Sequence, residues 1–192
     1  MPTISFGMMF YNEAGCIEKC IKSFAPLCDE FIAVDMGGND GSIDIVKGYT
    51  SNIYSNTLRN DFGAARNFLK SKCTKEWCLL VDPDEFILEE QVEDFKKLVS
   101  LLDSSQYDAV RLPRINWADR EQTTQMAITG TKDYQFKLFK NAYYIKYVNK
   151  VHEVLRGCKN ILDYPHLMTH HNQFWKTEER RVHQNQLYET IR

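Results

Sequence analysis

Two carboxylates follow an apolar run in the first half of the sequence and could bind a divalent cation. Asp82 and Asp84 flank Pro83 directly after the run Trp77–Val81. If strand geometry continues through the turn, side chains two residues apart project to the same side, with Cα atoms roughly 7 Å apart. Carboxylate oxygens suit Mg²⁺ or Mn²⁺, which take their other ligands from phosphates and water. The spacing therefore predicts a metal-bound diphosphate site, with Asp84 at the solvent-facing edge of a sheet.

Two other interpretations of this acidic pair were weighed against the metal site. An acidic loop that leads into a helix beginning at Glu89 would have the same composition. A haloacid dehalogenase-like phosphatase also carries Asp-x-Asp after a strand, but normally after the first strand and followed by Thr or Val. This chain has Phe86 at that position. The phosphatase is therefore disfavoured, and the acidic loop stays open.

Two further polar clusters follow apolar runs. Tyr11-Asn12-Glu13 comes after Ile4–Phe10, and Asp35 is followed by a glycine-rich turn, Met36–Gly41. Ligands of open α/β sheets bind beyond the carboxyl ends of the strands, so all three clusters are expected at one edge. The turn lacks the GxGxxG dinucleotide fingerprint, and the sequence contains no Walker motif. The signatures of NAD chemistry and ATP hydrolysis are therefore missing, and the turn could also be a simple tight connection.

The elements that must position these clusters alternate between strand and helix patterns over residues 1–105. Strands are expected at Ile4–Phe10, Glu30–Asp35, Ile53–Tyr54 and Trp77–Val81. Helices are expected after a cap at Asn12, after Gly41, at Asp61–Ser71 and at Glu89–Asp103. This alternation predicts an α/β fold with a mostly parallel sheet flanked by helices.

The second half of the sequence, residues 106–192, changes character. Strands are expected at Ala109–Pro113, Tyr134–Phe139 and Tyr143–Tyr147, with a final helix near Thr177–Ile191. A chain of 192 residues lies near the upper end of what one hydrophobic core organises. We therefore expect one domain, 1–192, whose second half is a smaller mixed or antiparallel part on the acceptor side of the site.

Composition limits the partners that the chain can have. The 24 Lys and Arg residues and 26 Asp and Glu residues give a net charge of −2, so specific nucleic-acid binding is not expected. The first ten residues lack the cationic start of a signal peptide, and the uncharged run that ends at Glu13 is too short to span a bilayer. The six cysteines form no CxxC pair and are expected to be reduced thiols. These features predict a protein of the cytoplasm or of a membrane surface.

Several short motifs occur in the order in which one enzyme family carries them. The matching segments are Met8–Ala14, Ala33–Ser42, Asp61–Asn67, Asp82–Glu85 and Val151–Glu153. Together they resemble the inverting nucleotide-sugar glycosyltransferases of family 2, which have the GT-A fold. Met36 and Gly38 stand where the family has small polar residues. The ordered set is more specific than any one motif.

The resemblance implies roles for the residues of these segments. Tyr11 and Asp35 would hold the nucleobase and ribose, and Arg66 would contact the base or the diphosphate. Asp82 would serve the ribose and, together with Asp84, the metal ion, Mn²⁺ or Mg²⁺. An aromatic ring can stack on a base, and an arginine offers a rigid fork of donors to an anion. The donor-binding set implied in this way is Tyr11, Asn12, Glu13, Asp35, Gly37, Arg66 and Asp82.

An inverting transfer needs a carboxylate that takes the proton of the acceptor hydroxyl in a single displacement. By the resemblance, the Val-His-Glu segment makes Glu153 the first choice for this base, with Asp133 in reserve. Glu153 could instead be a strand residue paired with Lys150 or Arg156.

Four histidines lie late in the chain: His152, His166, His170 and His171. As in some GT-A enzymes, one could add a metal or phosphate contact, and His170 is the first choice by position, with a structural histidine as the alternative. Lys176, Arg180 and Arg181 could contact the diphosphate or an anionic acceptor, although a solvated face of the final helix is favoured. Trp117 and Trp175 could be sugar platforms or core residues.

These observations predict a metal-dependent enzyme that moves a sugar from a nucleoside diphosphate, expected to be UDP, to an acceptor hydroxyl with inversion. The acceptor could be a glycan, a lipid-linked molecule or a protein. An inactive nucleotide- or glycan-binding module on the same fold is the main alternative. A nucleotidyltransferase is less favoured because it would need a basic, glycine-rich loop after the first strand, where this chain has Tyr11-Asn12-Glu13.

Overall fold

The structure is a computed structural model that describes residues 1–57, 60–103, 106–126 and 133–191. The strands of this part are β1 (Ile4–Phe10), β2 (Glu30–Asp35), β3 (Ile53–Ser55), β4 (Trp77–Leu80), β5 (Glu85–Phe86), β6 (Ala109–Asn116), β7 (Tyr134–Lys140), β8 (Lys146–Val148), β9 (Val154–Arg156), β10 (Ile161–Asp163) and β11 (Thr169–His171). Its α-helices are α1 (Ile17–Phe24), α2 (Ser42–Lys47), α3 (Phe62–Lys72), α4 (Val92–Leu102) and α5 (Glu178–Ile191). Short 3₁₀ turns lie at Ala25–Leu27, Glu89–Gln91 and Gln173–Trp175.

Most of the strands join in one mixed sheet, as the α/β prediction required. Within the described ranges its order is β3-β2-β1-β4-β7-β6-β11-β5, with β10 also paired to β6. The pairs β2–β3, β1–β2 and β1–β4 are parallel. Phe10 is in register with Asp35 at the ends of β1 and β2, so the polar residues that follow these strands start from the same edge.

Side-chain alternation along the central strands divides the core between the two faces of the sheet. Phe6 and Met8 of β1 belong to a buried cluster that also contains the apolar faces of α1 and α4. Cys78 and Leu80 of β4 point to the other face, where they cluster with Leu69 of α3. This is the covering of both faces that the strand and helix alternation predicts.

Helix α1 buries the residues that its periodicity marks, namely Ile17, Cys20, Ile21 and Phe24. Its cap differs from the prediction, because Cys16 is the N-cap residue and no side chain caps the helix. Asn12 has a positive φ of 54°, and its Oδ1 accepts a hydrogen bond from the N–H of Asn39 at 2.7 Å. The asparagine therefore joins the loop after β1 to the glycine-rich turn after β2.

In the second half, β6 and β7 extend beyond their predicted bounds, whereas the third expected strand is shortened. β7 inserts antiparallel between β4 and β6, and the expected strand Tyr143–Tyr147 is reduced to β8, which pairs with β9 outside the main sheet. Tyr143 is 94% exposed. The strands β5, β9, β10 and β11 were not predicted, because two or three residues are too few to show an alternating pattern.

Two expectations about the chain as a whole can be compared with the described residues. No helix in these ranges is both long enough and apolar enough to cross a bilayer. The six cysteines are free thiols, as the sequence predicts.

Candidate active site

The clusters that follow β1 and β4 meet in a cavity of about 260 Å³. Predicted site residues that line it are Tyr11, Glu13, Arg66, Asp82, Asp84 and Glu153. These residues come from the loop after β1, helix α3, the turn after β4 and the segment before β9. The remaining walls include Lys176, two residues before α5. They also include five side chains of α5 itself: Arg180, His183, Gln184, Leu187 and Tyr188.

Arg66 joins the two halves of the predicted site. Its Nη2 donates to Asp82 Oδ1 at 2.8 Å, and its Nε donates to Glu153 Oε1 at 2.6 Å. Removal from water would raise the pKa of Asp82, but the charges of Arg66 and Lys137 outweigh it and hold the pKa at about 2. The alternative partners weighed for Glu153, Lys150 and Arg156, are replaced by an arginine 87 positions away in the sequence.

The Ala-Arg-Asn segment also explains how Glu153 reaches Arg66. Asp61 caps α3 by accepting the N–H of Ala64 at 2.8 Å, and this places Arg66 in the first half of the helix. Asn67 exchanges two hydrogen bonds with the backbone of Tyr147 in β8, each 2.8 Å long. A Cβ on Gly63 would lie 2.4 Å from the carbonyl oxygen of Asn149. Helix α3 therefore packs directly against the chain that leads to Glu153.

Asp84 is 2% exposed, contrary to the prediction of a solvent-facing carboxylate. Its Oδ2 lies 2.8 Å from Lys176 Nζ and 3.0 Å from His171 Nε2. Burial would raise the pKa of Asp84, but Lys176 and His171 outweigh it and hold the pKa far below the usual range. Asp84 is therefore an ionised, buried carboxylate with cationic and hydrogen-bonding partners.

A second buried ion pair, between Lys137 and Glu85, stabilises the turn that contains Asp82 and Asp84. Lys137 on β7 contacts both carboxylate oxygens of Glu85, at 2.6 and 2.5 Å. Glu85 is 0% exposed, and its Oε2 accepts the N–H of Asp82 at 3.0 Å. The acidic segment is thus a structured turn, and sequence reasoning missed Lys137 because its partner lies on a distant strand.

The basic side chains at and just before the start of the final helix are largely buried, contrary to the favoured expectation of a solvent-exposed helical face. Lys176 is 8% exposed, and Arg180 Nη2 lies 2.9 Å from Glu13 Oε1. Burial raises the pKa of Glu13, and Lys176 and Arg180 offset this effect only in part. The four-residue spacing of Arg180, Gln184 and Tyr188 puts these side chains on one side of α5, whereas Lys176 precedes the helix in extended backbone. That spacing is the signal by which the shared face of the three helical residues could have been found.

His171, and not His170, is the histidine beside the acidic pair. Residue 170 pairs with Phe86 across β5 and β11, and its ring stacks between Phe86 and Trp117 with centroids 5.2 and 5.8 Å away. Burial lowers the pKa of His170. Alternation along β11 turns His171 to the other side, where Nδ1 contacts Asn116 at 2.8 Å.

Both tryptophans weighed as sugar platforms belong to this stack of rings. Trp117 stacks on His170, and Trp175 stacks on Phe86 with centroids 5.1 Å apart. Neither is among the described residues that line the cavity. The packing interpretation therefore fits their positions.

Five predicted site residues lie outside the described lining of the cavity: Asn12, Asp35, Gly37, Asp133 and His170. Asp35 accepts the N–H of Gly37 at 2.8 Å, and Gly37 has φ 81°, so this pair shapes the turn after β2. Asp133 pairs with Arg114, whose Nη2 lies 2.7 Å from Asp133 Oδ2. The reserve base is thus held by an arginine at the edge of the site.

A second cavity, of about 270 Å³, adjoins the first. Both are lined by Arg66, Asp82, Arg114 and Glu153. The far wall of the second cavity includes the rings of Tyr134, Phe136 and Tyr147. Glu153 therefore faces two adjacent spaces.

The donor types around Asp84 suit a divalent cation. Asp84 and Glu13 offer carboxylate oxygens of the kind that Mn²⁺ binds, and His171 adds an imidazole nitrogen, a common metal ligand. In the residues that the structure describes, no group of three or more His, Cys, Asp or Glu side chains is arranged for a metal ion. An ammonium, that of Lys176, takes the cationic position between Asp84 and Glu13.

Comparisons with known proteins show which proteins the chain is similar to. SunS, a prophage-derived glycosyltransferase of Bacillus subtilis, is 28% identical over 182 residues, which cover 92% of this chain and 41% of SunS. LpsC of Rhizobium meliloti, a lipopolysaccharide core biosynthesis glycosyltransferase, is 27% identical over 89 residues, 44% of this chain and 32% of LpsC. The chain therefore spans about two fifths or less of the length of these relatives.

A solved structure supports the fold. The crystal structure of S. aureus TarS 1–349 in complex with UDP superposes with a TM-score of 0.66 at 15% identity, covering 88% of this chain and 60% of that one. The expected GT-A fold is confirmed by this likeness. A family model described as glycosyl transferase family 2 matches residues 5–157. The chain belongs to glycosyl transferase family 2.

Proposed function

We propose that the chain transfers a sugar from a UDP-sugar to an acceptor hydroxyl, with inversion and with the help of a divalent cation. The observation that carries this proposal is the position of Glu153 on the wall shared by the two cavities. A donor in the first cavity and an acceptor in the second would meet at this carboxylate. The acceptor is a glycan, a lipid-linked molecule or a protein.

The donor side of the proposal rests on the loop after β1 and on Arg66. Tyr11 offers an aromatic face in the first cavity, and Arg66 offers guanidinium N–H groups to an anion. TarS, which shares the fold, was crystallised with UDP and with UDP-GlcNAc. UDP is therefore the nucleotide that we propose for this chain.

The divalent cation would be held by Asp84, with His171 and Glu13 as the further donors nearest to it. When bound, such a cation neutralises charge on the diphosphate as it leaves the sugar. Lys176 would have to give up its contact with Asp84, which is 2.8 Å long.

Glu153 is the proposed general base. Its carboxylate would accept the proton of the acceptor hydroxyl while the hydroxyl oxygen bonds to the anomeric carbon and the bond from that carbon to the diphosphate oxygen breaks. One displacement inverts the anomeric configuration. The 2.6 Å contact from Arg66 Nε to Glu153 Oε1 fixes the orientation of the carboxylate and leaves its second oxygen for the acceptor.

The experiment is a thermal-shift panel of UDP-, GDP-, CDP- and dTDP-sugars, each with and without Mn²⁺. A ligand that binds only the folded state raises the melting temperature, and we expect the largest rise for a UDP-sugar with Mn²⁺. Mass spectrometry of the same mixtures then detects release or transfer of the sugar. A rise with another nucleotide would overturn the UDP assignment, and binding without any turnover would favour the inactive module.

A further inference from the structure

One segment of the chain, Lys176–Gln184, lies across the donor cavity. Lys176 Nζ is 2.8 Å from Asp84 Oδ2 and 3.7 Å from Glu13 Oε1. Both carboxylates are 2% exposed, and Lys176 is 8% exposed. The ammonium therefore occupies a buried cationic position between two carboxylates.

The same segment also covers the aromatic face of the cavity. His183 stacks on Tyr11 with ring centroids 5.2 Å apart, and Arg180 Nε donates to the carbonyl oxygen of Tyr11 at 2.7 Å. The two positions proposed for a donor complex, the cation and the nucleobase, are thus both engaged by side chains of this segment.

Electrostatics decides whether Lys176 and a divalent cation can share Asp84. A buried carboxylate is costly without a cationic partner, so Asp84 needs Lys176 in the free protein. A divalent cation bound to the same carboxylate would stand next to the ammonium, and two cations at such a distance repel each other strongly away from bulk water. Binding of one should therefore exclude the other.

We propose, on the basis of the function proposed above, that Lys176 sets the divalent-cation affinity of the donor site. Its ammonium is an intramolecular cation that holds Asp84 until a divalent cation takes its place. The displacement moves Lys176 away from Asp84 and, through the continuous chain, loosens the contacts of Arg180 and His183 with Tyr11.

The test is calorimetric titration of Mn²⁺ into the whole chain, without nucleotide, at neutral pH. The proteins are the wild type, Lys176→Met, the double variant Lys176→Met/Asp84→Asn, and the control Lys19→Met. Lys19 also lies by the C-terminal segment, with its Nζ 4.4 Å from the Trp175 ring centroid, but its Nζ donates to Gln122 Oε1 at 3.3 Å and not to Asp84. The control therefore removes a nearby ammonium and leaves Asp84 with its partner.

We expect Lys176→Met to bind Mn²⁺ about tenfold more tightly than the wild type, which lies within the usual range of coupling between two sites. Lys19→Met should bind like the wild type, and the double variant should lose the site. Equal or weaker binding by Lys176→Met, or binding that survives in the double variant, would overturn the inference. Absence of Mn²⁺ binding in every protein would overturn it as well, whereas the nucleotide panel would still report on the proposed function.

A second readout uses the wild type and does not depend on the folding of a variant. Reductive methylation with peptide mapping measures how fast Lys176 is modified with and without Mn²⁺. We expect saturating Mn²⁺ to raise the modification rate of Lys176 about tenfold, since the displaced ammonium becomes exposed. Lys137, which is 5% exposed and paired with Glu85, should stay unmodified. An unchanged rate at Lys176 while Mn²⁺ is bound would contradict the displacement.

Discussion

At the scale of single residues, the site depends on one guanidinium that serves two carboxylates. Arg66 is 15% exposed and contacts Asp82 and Glu153 through different nitrogens, Nη2 and Nε. A lysine has one compact ammonium and cannot reproduce this fork. Arg66 is therefore the residue through which a change on the donor side reaches the proposed base.

We predict that Arg66→Lys lowers kcat/KM by about tenfold to a hundredfold, the weight of one charge-assisted hydrogen bond of roughly 1.5–3 kcal/mol. Steady-state kinetics with a UDP-sugar measure the loss. The control is Arg111→Lys, because Arg111 makes a bidentate pair with Asp163 on the surface and exposed pairs contribute little. Equal kcat/KM values for Arg66→Lys and Arg111→Lys would contradict a role for Arg66 in the reaction.

At the scale of elements, the short strand β11 decides which of two adjacent histidines lines the cavity. His170 faces Phe86 and Trp117, while His171 faces Asp84 and Asn116. Because strand neighbours point to opposite sides, one histidine packs and the other is available for chemistry. The pairing of β11 with β5 and β6 fixes this choice.

This alternation predicts that alanine at position 170 mainly lowers stability, whereas alanine at position 171 mainly weakens donor binding. His170→Ala should lower the free energy of unfolding by about 2 kcal/mol or more, because it leaves a cavity between two rings, while Mn²⁺-dependent donor binding is retained. His171→Ala should cost about 1 kcal/mol of stability, the weight of a hydrogen bond, and should weaken that binding. Urea denaturation and calorimetry separate the two effects. A loss of donor binding in His170→Ala alone would reverse the assignment.

The elements that could be predicted from the sequence are those long enough to show an apolar run or a helical period. β1 and β2 bury the apolar runs that mark them, and α1 buries the residues that its helical period marks, because six to eight residues suffice for such a run or for two helical turns. β5 and β11, with two and three residues, show no period, and their register decides between His170 and His171. Local pattern therefore predicts elements, whereas the short pairings that complete a site require the structure.

For the site, motif order placed Arg66, Asp82, Asp84 and Glu153 around one cavity. The position of Lys176 could not be read in the same way. Helix α5 covers an acidic cavity but has the polar composition of a solvent-exposed helix. Only the four-residue spacing of Arg180, Gln184 and Tyr188 distinguishes the face that contacts the cavity. Asp84 was expected at the surface for the same reason, because the segment that buries it lies more than 90 residues away in the sequence.

At the scale of the whole molecule, the cavity edge concentrates ionised groups that depend on one another. Asp82 has a pKa of about 2, and that of Asp84 is also lowered. Glu13 has the opposite shift, since burial raises its pKa. An acid with a lowered pKa in the folded state stabilises the fold above its unfolded pKa and loses this contribution as the pH falls through its folded pKa.

We therefore predict that wild-type stability falls between about pH 4, the unfolded pKa of an aspartate, and the folded pKa of Asp82, about 2. The variant Asp84→Asn should lose less stability over the same range, because it lacks a buried carboxylate whose pKa is lowered in the folded state. Glu13 has the opposite effect on stability. Because its pKa is raised in the folded state, its protonation as the pH falls stabilises the fold. Thermal melts from pH 6 to pH 2 measure the slopes, and identical slopes would contradict the electrostatic account of Asp84.

The central claim is that Glu153 is the base between donor and acceptor, and Glu153→Gln tests it most directly. Glutamine keeps an oxygen for the 2.6 Å contact with Arg66 Nε but no longer accepts a proton at neutral pH. We predict that sugar transfer falls by about a hundredfold to ten-thousandfold, the usual weight of general base catalysis, while UDP-sugar binding persists.

Asp133→Asn is the matched control in the same transfer assay, because Asp133 pairs with Arg114 and is not among the described residues that line either cavity. We predict that it stays within a few-fold of the wild type, as for a partly exposed ion pair of small weight. Near-wild-type transfer by Glu153→Gln with a true acceptor would contradict the account. Loss of transfer in Asp133→Asn instead would make Asp133 the base.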